Sequence, residues 1–247
     1  MKLSIVTICY KDLAGLQKTY SSLSEVLNGL ADEVEWLVVD GGSNDGTKEY
    51  LESIQPSKWV SKKDRGIYDA MNVGTSMASG IYVLYLNAGD LIYDPMKFIT
   101  LVESLPLIPE IVFTGAYFES GGYRRYRKPR GFDSIWHSVP ANHQSIFFPR
   151  EAVVELGYSL EYKICGDYDL CCRLFMNNTH SKVIDQPTVI FELGGVSTNS
   201  IFLLANEALK IQRLTLKLSL FYRTVSYARR LAAMLVNYTI YLATKRH

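Results

Sequence analysis

Cysteine is scarce in this chain of 247 residues, and its spacing does not suit a metal site. The four cysteines are Cys9, Cys165, Cys171 and Cys172, and no two of them show the spacing of a zinc-binding pair. The adjacent residues Cys171 and Cys172 are also poor candidates for a disulfide. We therefore expect reduced thiols, which are typical of a cytoplasmic protein.

The chain also lacks the glycine-rich motifs that bind nucleotide phosphates by themselves. It has no Gly-x-x-x-x-Gly-Lys-Ser/Thr phosphate loop and no Gly-x-Gly-x-x-Gly dinucleotide fingerprint. The segment "GGSNDGT" that follows Asp40 fails as a calcium loop, because Gly41 would occupy the first ligand position. These absences exclude a P-loop nucleotidase and a calcium-binding loop, and they disfavour a dinucleotide enzyme.

A long uncharged stretch is missing from the basic C-terminal segment as well. Its longest uncharged run is residues 231–244, which is 14 residues long, whereas a helix needs about 20 apolar residues to span a bilayer. The first ten residues, "MKLSIVTICY", indicate a strand rather than a secretory signal. We therefore expect neither a membrane span nor export.

The charge is nearly balanced overall but unevenly distributed. The net charge is +1, yet from residue 208 to the end there are eight Lys or Arg residues and no Asp or Glu. The first 207 residues keep 18 of the 26 basic residues against all 25 acidic ones, a net charge of −7. An acidic body with a basic tail indicates that the tail meets an anionic surface.

Strands and helices alternate along about the first 90 residues, and the strands are almost continuously apolar. This pattern predicts an α/β fold with a mostly parallel central sheet that helices cover on both faces. A hydrophobic content of 48% is enough for a sizeable core. The predicted strands are Leu3–Cys9, Val34–Asp40, a weaker one near Trp59, and 81–87; the predicted helices are 11–27, 48–54 and 66–80.

The pattern changes after residue 110, where strands stop alternating with helices. A hairpin is predicted that turns at Gly121 and Gly122 and carries five basic residues on its second arm. The remaining predicted elements are a strand at 143–149, a helix that begins after Gly166, further β structure at 182–195, and one long helix or two from Ser200 onward.

Three carboxylates stand where predicted strands end, namely Asp40, Asp64 and Asp90. Ligands of parallel α/β sheets bind beyond the carboxyl ends of the strands, so these acids are candidates for one site. Asp40 is able to accept hydrogen bonds from a base or a sugar, and Asp90, in "NAGD", suits a hard divalent cation. The alternatives are structural: a turn with a capped helix after Asp40, and Asp90 as the cap of a helix that starts near Pro95.

The segment "GDYDL" offers two more carboxylates, Asp167 and Asp169, at the start of a predicted helix. Because they are two residues apart they point in different directions, and only one of them is expected to face a site. Negative charge that complements the helix dipole is enough to explain the other. His143 is either a ligand or acid/base group, or a buried histidine with a hydrogen-bond partner.

Taken in order, these segments resemble the family 2 glycosyltransferases, whose nucleotide-sugar-binding α/β fold is called GT-A. The resemblance covers about residues 2–212. The chain looks particularly like bacterial members from exopolysaccharide clusters, such as those for colanic acid. The matching segments are "SIVTICYKDLAGLQKTYSSL", "EWLVVDGGSNDGTKEYL", "DRGIYDAMNVGTSMASGIYVLYLNAGD", "PANHQSIFFP", "EYKICGDYDLCCRL" and "GGVST".

The resemblance implies roles for eight residues. Asp167 matches the family's general base, and Asp90 matches the ligand that holds Mn²⁺ or Mg²⁺ on the donor diphosphate. "HQ" and "GGVS" would lie near the donor and the acceptor. The residues implied for binding the nucleotide sugar are Thr7, Tyr10, Asp40, Asp64, Asn72 and His143.

The chain departs from the family pattern at several positions. Many relatives have an acid where Asn87 stands, which leaves Asp90 as the one expected metal ligand. Many have an arginine where Met71 stands, and Arg65 is a candidate replacement for that cation. Gly166 stands where an acid often precedes the base. The Gln-x-x-Arg-Trp motif of processive synthases is absent, which favours the addition of a single sugar.

The resemblance implies an inverting, non-processive glycosyltransferase that uses a nucleotide-sugar donor, with a UDP-sugar favoured. The expected acceptor is a polyprenyl-diphosphate-linked sugar or an oligosaccharide of a surface polysaccharide. A non-catalytic nucleotide-sugar-binding or scaffold subunit is the alternative, and the residues Asn87 and Gly166 keep it open. A nucleotidyltransferase is disfavoured, because "TICYKD" lacks the glycine-rich basic loop of that class.

Residues 1–212 are expected to form the glycosyltransferase domain and residues 213–247 a basic amphipathic helical tail. The tail would lie on an anionic membrane surface, which makes the protein cytoplasmic and peripheral on the inner face of the cell membrane. The alternative is a helix that packs on the domain, or on a second subunit in a homodimer. The acidic body counts against a nucleic-acid partner.

Overall fold

The computed structural model describes residues 1–120, 123–192 and 201–244. The strands are β1 (Leu3–Cys9), β2 (Val34–Asp40), β3 (Lys58–Ser61), β4 (Tyr82–Tyr85), β5 (Leu91–Ile92), β6 (Ile111–Ser120), β7 (Tyr123–Arg127), β8 (Ile146–Pro149) and β9 (Ser181–Glu192). The helices are α1 (Leu13–Gly29), α2 (Thr47–Ile54), α3 (Ile67–Met77), α4 (Pro95–Ser104), α5 (Arg150–Leu156), α6 (Gly166–Met176), α7 (Ile201–Leu214) and α8 (Leu220–Thr244).

The described strands form one mixed sheet whose first half is parallel. Their order is β3-β2-β1-β4-β8-β6-β9-β5, with β7 paired to β6. Strands β1 to β4 run parallel, with Leu3 opposite both Val34 and Tyr82. Strand β8 runs antiparallel to β4 and to β6, and β9 returns parallel to β6. The predicted α/β fold is confirmed, and its parallel part is the region where strands and helices alternate along the sequence.

Strand β1 is buried on both faces, and its side chains alternate between two cores. Leu3 and Ile5 pack with α1, α2 and α4, whereas Val6 and Ile8 pack with α3, α5, α6 and α7. A strand covered on both faces needs an apolar residue at almost every position, which explains the continuous apolar runs. Burial of each large apolar side chain contributes about 1.5–3 kcal/mol to the free energy of unfolding. The strand is therefore held firmly in the core, and the positions of its end and of the loop that follows are fixed.

The segment expected as a strand at 143–149 begins instead with a turn. Residues His143–Ser145 form a single 3₁₀ turn, and β8 starts at Ile146. The Ser145 hydroxyl lies within hydrogen-bond distance of the Asn142 carbonyl (2.8 Å) and the Thr114 carbonyl (2.9 Å), so the turn is tied to β6. The pairing of β6 with β7 confirms the predicted hairpin, while its turn at Gly121 and Gly122 lies outside the described residues.

Helix α7 and the first turns of α8 pack on the sheet domain. The expected boundary after residue 212 falls inside α7, and Gln212 donates hydrogen bonds to the Ser226 hydroxyl of α8 (2.7 Å) and the Trp136 carbonyl (3.1 Å). Further along α8, Arg230 donates to the His137 carbonyl (2.7 Å). This part of α8 therefore agrees with the alternative of a helix that packs on the domain.

Two further features concern the cysteines and the lengths of the helices. All four cysteines are free thiols buried in the protein, as their spacing predicts. Within the described ranges, no helix combines the length and the apolar character that crossing a membrane requires.

Candidate functional site

The first wall of the candidate site forms around Gly41, directly after β2. A Cβ atom at Gly41 would lie 2.8 Å from Asp64 Oδ2 and 3.1 Å from Tyr10 Cδ2. Only glycine therefore lets the Tyr10 ring and the Asp64 carboxylate come together over the end of the sheet. Tyr10 is 60% exposed, and Asp64 uses its other oxygen, Oδ1, to accept the Gly66 N–H (2.9 Å). The wall thus offers an open aromatic face beside a carboxylate oxygen.

Asp40 stabilises this wall through hydrogen bonds, and its carboxylate is not accessible to a ligand. Its side chain is fully buried and accepts the Ser43 N–H (3.0 Å) and the hydroxyls of Ser43 and Ser61 (2.6 Å for Ser61). These bonds fix the loop that carries Gly41. The expectation that the Asp40 carboxylate binds the nucleotide directly is corrected, because its oxygens face protein donors.

Thr7 and Asn72, two other residues implied for the nucleotide pocket, also turn their side chains into the protein. The Thr7 hydroxyl is buried and accepts the indole N–H of Trp36 (2.9 Å). Asn72 donates to the Tyr158 carbonyl (2.9 Å) and accepts the Tyr158 N–H (2.7 Å), which uses both ends of its amide. Both expectations are corrected: Thr7 packs in the sheet, and Asn72 joins α3 to the segment before α6.

Asp90 ends the turn that follows β4, at the same edge of the sheet. Thr19 of α1 stabilises this turn, because the Thr19 hydroxyl donates a hydrogen bond to the Asp90 carbonyl (2.8 Å) and accepts one from the Gly89 N–H (3.0 Å). The carboxyl group is buried, and burial raises its pKa to about 8. The alternative that Asp90 caps the next helix is wrong, because Asp94 caps α4 by accepting the Lys97 N–H (3.1 Å).

Gln144 in the 3₁₀ turn faces Asp90, and the neighbouring His143 does not. Asn142 donates to the Gln144 carbonyl oxygen (2.8 Å), which leaves the Gln144 amide N–H₂ for the Asp90 carboxyl, whose pKa this contact lowers. His143 is buried, hydrogen-bonded to the Tyr158 hydroxyl (2.8 Å), and its pKa falls to about 3 through burial. His143 is thus the neutral, buried histidine of the structural alternative, and its expected ligand contact is corrected.

Asp167 lies at the second position of α6 and is half-buried. Burial raises the pKa of its carboxyl to about 6. The Tyr168 N–H, which donates to this carboxyl (2.7 Å), and the positive charges of Arg127 and Arg230 act in the opposite direction and lower the pKa. Such a carboxylate is ionised near neutral pH and still basic enough to take up a proton. Asp169 points elsewhere, into an ion pair with Arg173 (2.8 Å), as the spacing of the two acids predicts.

The sequence of this chain matches the family model "Glycosyl transferase family 2" over residues 4–167, about two thirds of its length. The chain is a family 2 glycosyltransferase. An uncharacterized glycosyltransferase of Mycobacterium tuberculosis is 31% identical over 185 residues, which cover 69% of this chain and 67% of that protein. A PGL/p-HBAD biosynthesis glycosyltransferase of Mycobacterium bovis is 28% identical and is covered over 63% of each chain.

Solved structures show the same fold as this glycosyltransferase. TarS 1-349 of Staphylococcus aureus, crystallised with UDP, has a TM-score of 0.64 at 16% identity and covers 94% of this chain and 71% of its own. The mannosyltransferase PcManGT of Pyrobaculum calidifontis, in complex with GDP-Man and Mn²⁺, has a TM-score of 0.67 at 15% identity. That match covers 99% of this chain and 79% of PcManGT. At such identities the likeness establishes the fold alone.

The residues around Asp90 suit a hard divalent cation as a partial ligand set. The Asn87 side-chain oxygen, in the same turn as Asp90, is buried and has no hydrogen-bond partner among the described residues. The same residues contain no group of three His, Cys, Asp or Glu side chains that would hold a metal by themselves. The glycosyltransferase thus provides hard oxygen ligands, and substrate phosphates and water would have to supply the rest.

Sequence reasoning missed two features of this site. The sequence gives Gln144 only a place in the segment "HQ", and its contact with Asp90 depends on the 3₁₀ turn. The charge of Arg230 on α8 acts on Asp167 from a segment 63 positions later, which no local pattern reveals. The proposed cation Arg65 instead pairs with Asp69 (2.7 Å), and "GGVST" lies outside the described residues.

Proposed function

We propose that this glycosyltransferase transfers one sugar from a nucleotide-sugar donor to an acceptor hydroxyl, with inversion at the anomeric carbon. The observation that carries the proposal is the pair of carboxyl groups on separate elements. Asp90 is buried in the turn that also carries the unpartnered Asn87 side-chain oxygen, and Asp167 is half-buried with a pKa of about 6. The first suits a cation–diphosphate group and the second suits a general base.

The donor is proposed to bind across the edge that carries Tyr10, Gly41 and Asp64. The exposed Tyr10 ring is able to stack on a base, and Asp64 Oδ2 is able to accept a hydrogen bond from a base or a ribose hydroxyl. TarS binds UDP and UDP-GlcNAc, and PcManGT binds GDP-Man, which supports a nucleoside-diphosphate sugar as the donor class. We favour a UDP-sugar.

In the proposed reaction Asp167 takes the proton of the acceptor hydroxyl as its oxygen attacks the anomeric carbon. The attack comes from the face opposite the nucleoside diphosphate, which leaves as the glycosidic bond to it breaks. General-base assistance of this kind typically contributes 10²–10⁴-fold. A bound Mn²⁺ or Mg²⁺ would neutralise charge on the departing diphosphate. Asp90 and Asn87 would hold it, and Gln144 orients the Asp90 carboxyl.

The proposed acceptor is a polyprenyl-diphosphate-linked sugar or a growing oligosaccharide of a surface polysaccharide. The missing Gln-x-x-Arg-Trp motif supports the addition of one sugar per acceptor. The likeness to colanic acid clusters remains a prediction.

The protein is proposed to be peripheral on an anionic membrane through the turn between α7 and α8. The large apolar side chains there are exposed, with Phe221 at 71%, and basic residues flank them. Apolar insertion combined with basic charge is the usual mode of such docking. The exposed apolar residues are Leu214, Leu220, Phe221 and Tyr222, and the basic residues are Arg213, Lys217 and Arg223.

A thermal-shift panel of nucleotide sugars with and without Mn²⁺ tests the donor proposal. A donor that binds the folded state at about 100 times its Kd should stabilise the protein by roughly 2.7 kcal/mol. We expect one UDP-sugar to do so only with metal, and Asp90→Asn to abolish the response. Asp94→Asn, the same change four residues away in the cap of α4, is the matched control. A response of equal size in Asp90→Asn would refute the role of Asp90.

Liposome flotation tests the membrane proposal. The double variant Leu220→Ser/Phe221→Ser should lose binding to vesicles that contain phosphatidylglycerol, because it removes exposed apolar area without disturbing a core contact. Leu107→Ser/Ile108→Ser removes exposed apolar residues elsewhere on the surface and should bind like the wild type. Equal flotation of the three proteins would contradict the proposal.

A further inference from the structure

Four arginines from two distant segments face the surroundings of Asp167, and we call them the arginine cluster. The charges of Arg127 and Arg230 act on the Asp167 carboxyl, and those of three cluster members act on the His137 ring. The cluster consists of Arg127 on β7, Arg130 in the following loop, and Arg229 and Arg230 on α8.

Aromatic rings and backbone groups hold these guanidinium groups in place. Arg230 lies over the Tyr168 ring (5.7 Å to the centroid) and donates to the His137 carbonyl (2.7 Å). Arg229 lies over the Trp136 ring (5.8 Å), and Arg127 over the ring of Phe118 (5.7 Å). Arginines stacked in this way keep N–H donors available in a fixed direction.

No carboxylate among the described residues forms an ion pair with the arginine cluster. None of its members makes an ion pair within 4.0 Å in the described residues, and the remaining residues contain no Asp or Glu. Asp167 is a carboxylate whose charge acts on Arg127 and Arg230, and burial keeps its pKa raised. Four positive charges gathered against one carboxylate cost free energy, so the arrangement calls for an anion.

Buried polar atoms beside the arginine cluster lack partners as well. Both ring nitrogens of His137, the Ser138 hydroxyl and Nε of Arg230 are buried without a hydrogen-bond partner in the described residues. Buried polar groups are nearly always paired, and several orphans at one place indicate a missing ligand. Donors from guanidinium, imidazole and hydroxyl groups together suit the oxygens of a phosphate group.

We propose that the arginine cluster, with His137 and Ser138, binds a phosphate or diphosphate group that the acceptor carries. This inference rests on the proposed function, because it takes Asp167 as the base that meets the acceptor hydroxyl. A sugar joined directly to a diphosphate would place its hydroxyl at Asp167 while the diphosphate lies against the arginines. Helix α8 is then part of the acceptor site as well as a support of the fold.

Inorganic pyrophosphate in EDTA is the probe, because the proposed donor site at Asp90 depends on a metal and should not bind pyrophosphate without one. Titration calorimetry should show binding to the wild-type protein, and Arg127→Gln should weaken it at least tenfold. Arg230→Lys keeps the charge but loses the fixed fork of donors, and it should give an intermediate loss. Arg124→Gln is the matched control on the same strand, because Arg124 is bound by Glu119 (2.9 Å); it should bind within twofold of the wild type.

The outcomes separate the sources of the anion. Equal binding by Arg127→Gln and the wild type, or no binding at all, would overturn the proposal. Flotation on phosphatidylglycerol vesicles that is lost in Arg127→Gln, with pyrophosphate binding unchanged, would overturn it in favour of a lipid headgroup. If pyrophosphate fails to bind, a metal-dependent donor response of the wild-type protein in a separate sample without EDTA leaves the proposed donor site standing, and the failure counts against the acceptor-anion proposal alone. Absence of that donor response counts against the proposed function itself.

Discussion

At the scale of residues, Asp167 shows the conflict between stability and chemistry most clearly. Burial raises its pKa, whereas the Tyr168 N–H and two arginines lower it, and the outcome is a pKa of about 6. A surface aspartate with an ordinary pKa would be a weaker base. An aspartate buried without hydrogen-bond donors or positive charges around it would stay protonated at neutral pH. Its surroundings therefore suit a proton acceptor, at a cost in stability when it is ionised.

The first prediction concerns that cost. The carboxyl binds its proton more tightly in the folded state, at a pKa of about 6 against 3.8, so its contribution to the free energy of unfolding rises as pH falls from about 6 to about 4. Asp167→Asn should therefore raise the free energy of unfolding at about pH 7.5 by roughly 1–2 kcal/mol, and with it the Tm by a few degrees. The gain should shrink towards pH 4. Asp133→Asn, an exposed acid, is the control; an unchanged or lower Tm for Asp167→Asn would contradict the environment described.

A second prediction concerns Gly166, where relatives often have an acid. A Cβ atom there would lie 2.7 Å from the Tyr68 ring, and the Tyr68 hydroxyl is tied to the Ile164 carbonyl (2.6 Å). Helix propensity alone predicts that Gly166→Ala stabilises α6 by about 1 kcal/mol. We expect instead a loss of about 1–3 kcal/mol in urea unfolding, because the ring has to move. In a double-mutant cycle Tyr68→Leu should remove most of that loss; additive effects would show that the ring is not the cause.

At the scale of elements, helix α7 positions the start of α6. The Glu207 carboxylate accepts the N–H groups of Lys163 (2.8 Å), Ile164 (3.0 Å) and Cys165 (2.9 Å), directly before the helix that carries Asp167. One buried side chain thus orders three backbone donors that would otherwise lack partners. This contact links residues 42 to 44 positions apart and has no signature in the sequence.

The third prediction follows from this contact. Glu207→Gln loses one acceptor oxygen and places an N–H₂ group against backbone donors, so it should cost about 2–3 kcal/mol of unfolding free energy. The start of α6 should loosen with it, and the rate of sugar release should fall. Glu155→Gln, an exposed glutamate on α5, should change neither quantity. A Glu207→Gln protein as stable as the wild type would show that these hydrogen bonds contribute little.

The elements themselves were largely predictable. Strands β1 and β2 have the predicted bounds because burial on both faces leaves continuous apolar runs. The 3₁₀ turn at His143 was not predicted, because it depends on hydrogen bonds to β6. Thr7, Asp40 and Asn72 were expected in the pocket from the family resemblance, which does not show which way each side chain faces. Asp90 follows a strand and Asp167 begins a helix, as their places in the sequence predicted, and their roles in the site stay predictions.

At the scale of the whole molecule, α7 and the first turns of α8 belong to the packed body. A chain that ends at Gln212 loses the Ser226 contact and the Arg230 contacts with Tyr168 and His137, so it should be less stable than the full chain by several kcal/mol. The measurement is the free energy of unfolding in urea. The full-length variant Leu220→Ser/Phe221→Ser keeps these contacts and should match the wild type. A stable protein ending at Gln212 would support the boundary expected from the sequence.

The central claim is that Asp167 provides the proton acceptor while the donor is bound elsewhere. Release of free sugar from the donor found in the panel, in the presence of Mn²⁺, reports on this without a known acceptor, because water then takes the place of the hydroxyl. Asp167→Asn should slow release by at least about 100-fold while the donor Kd stays within twofold of the wild type. Release at the wild-type rate, or loss of donor binding in place of turnover, would contradict the account.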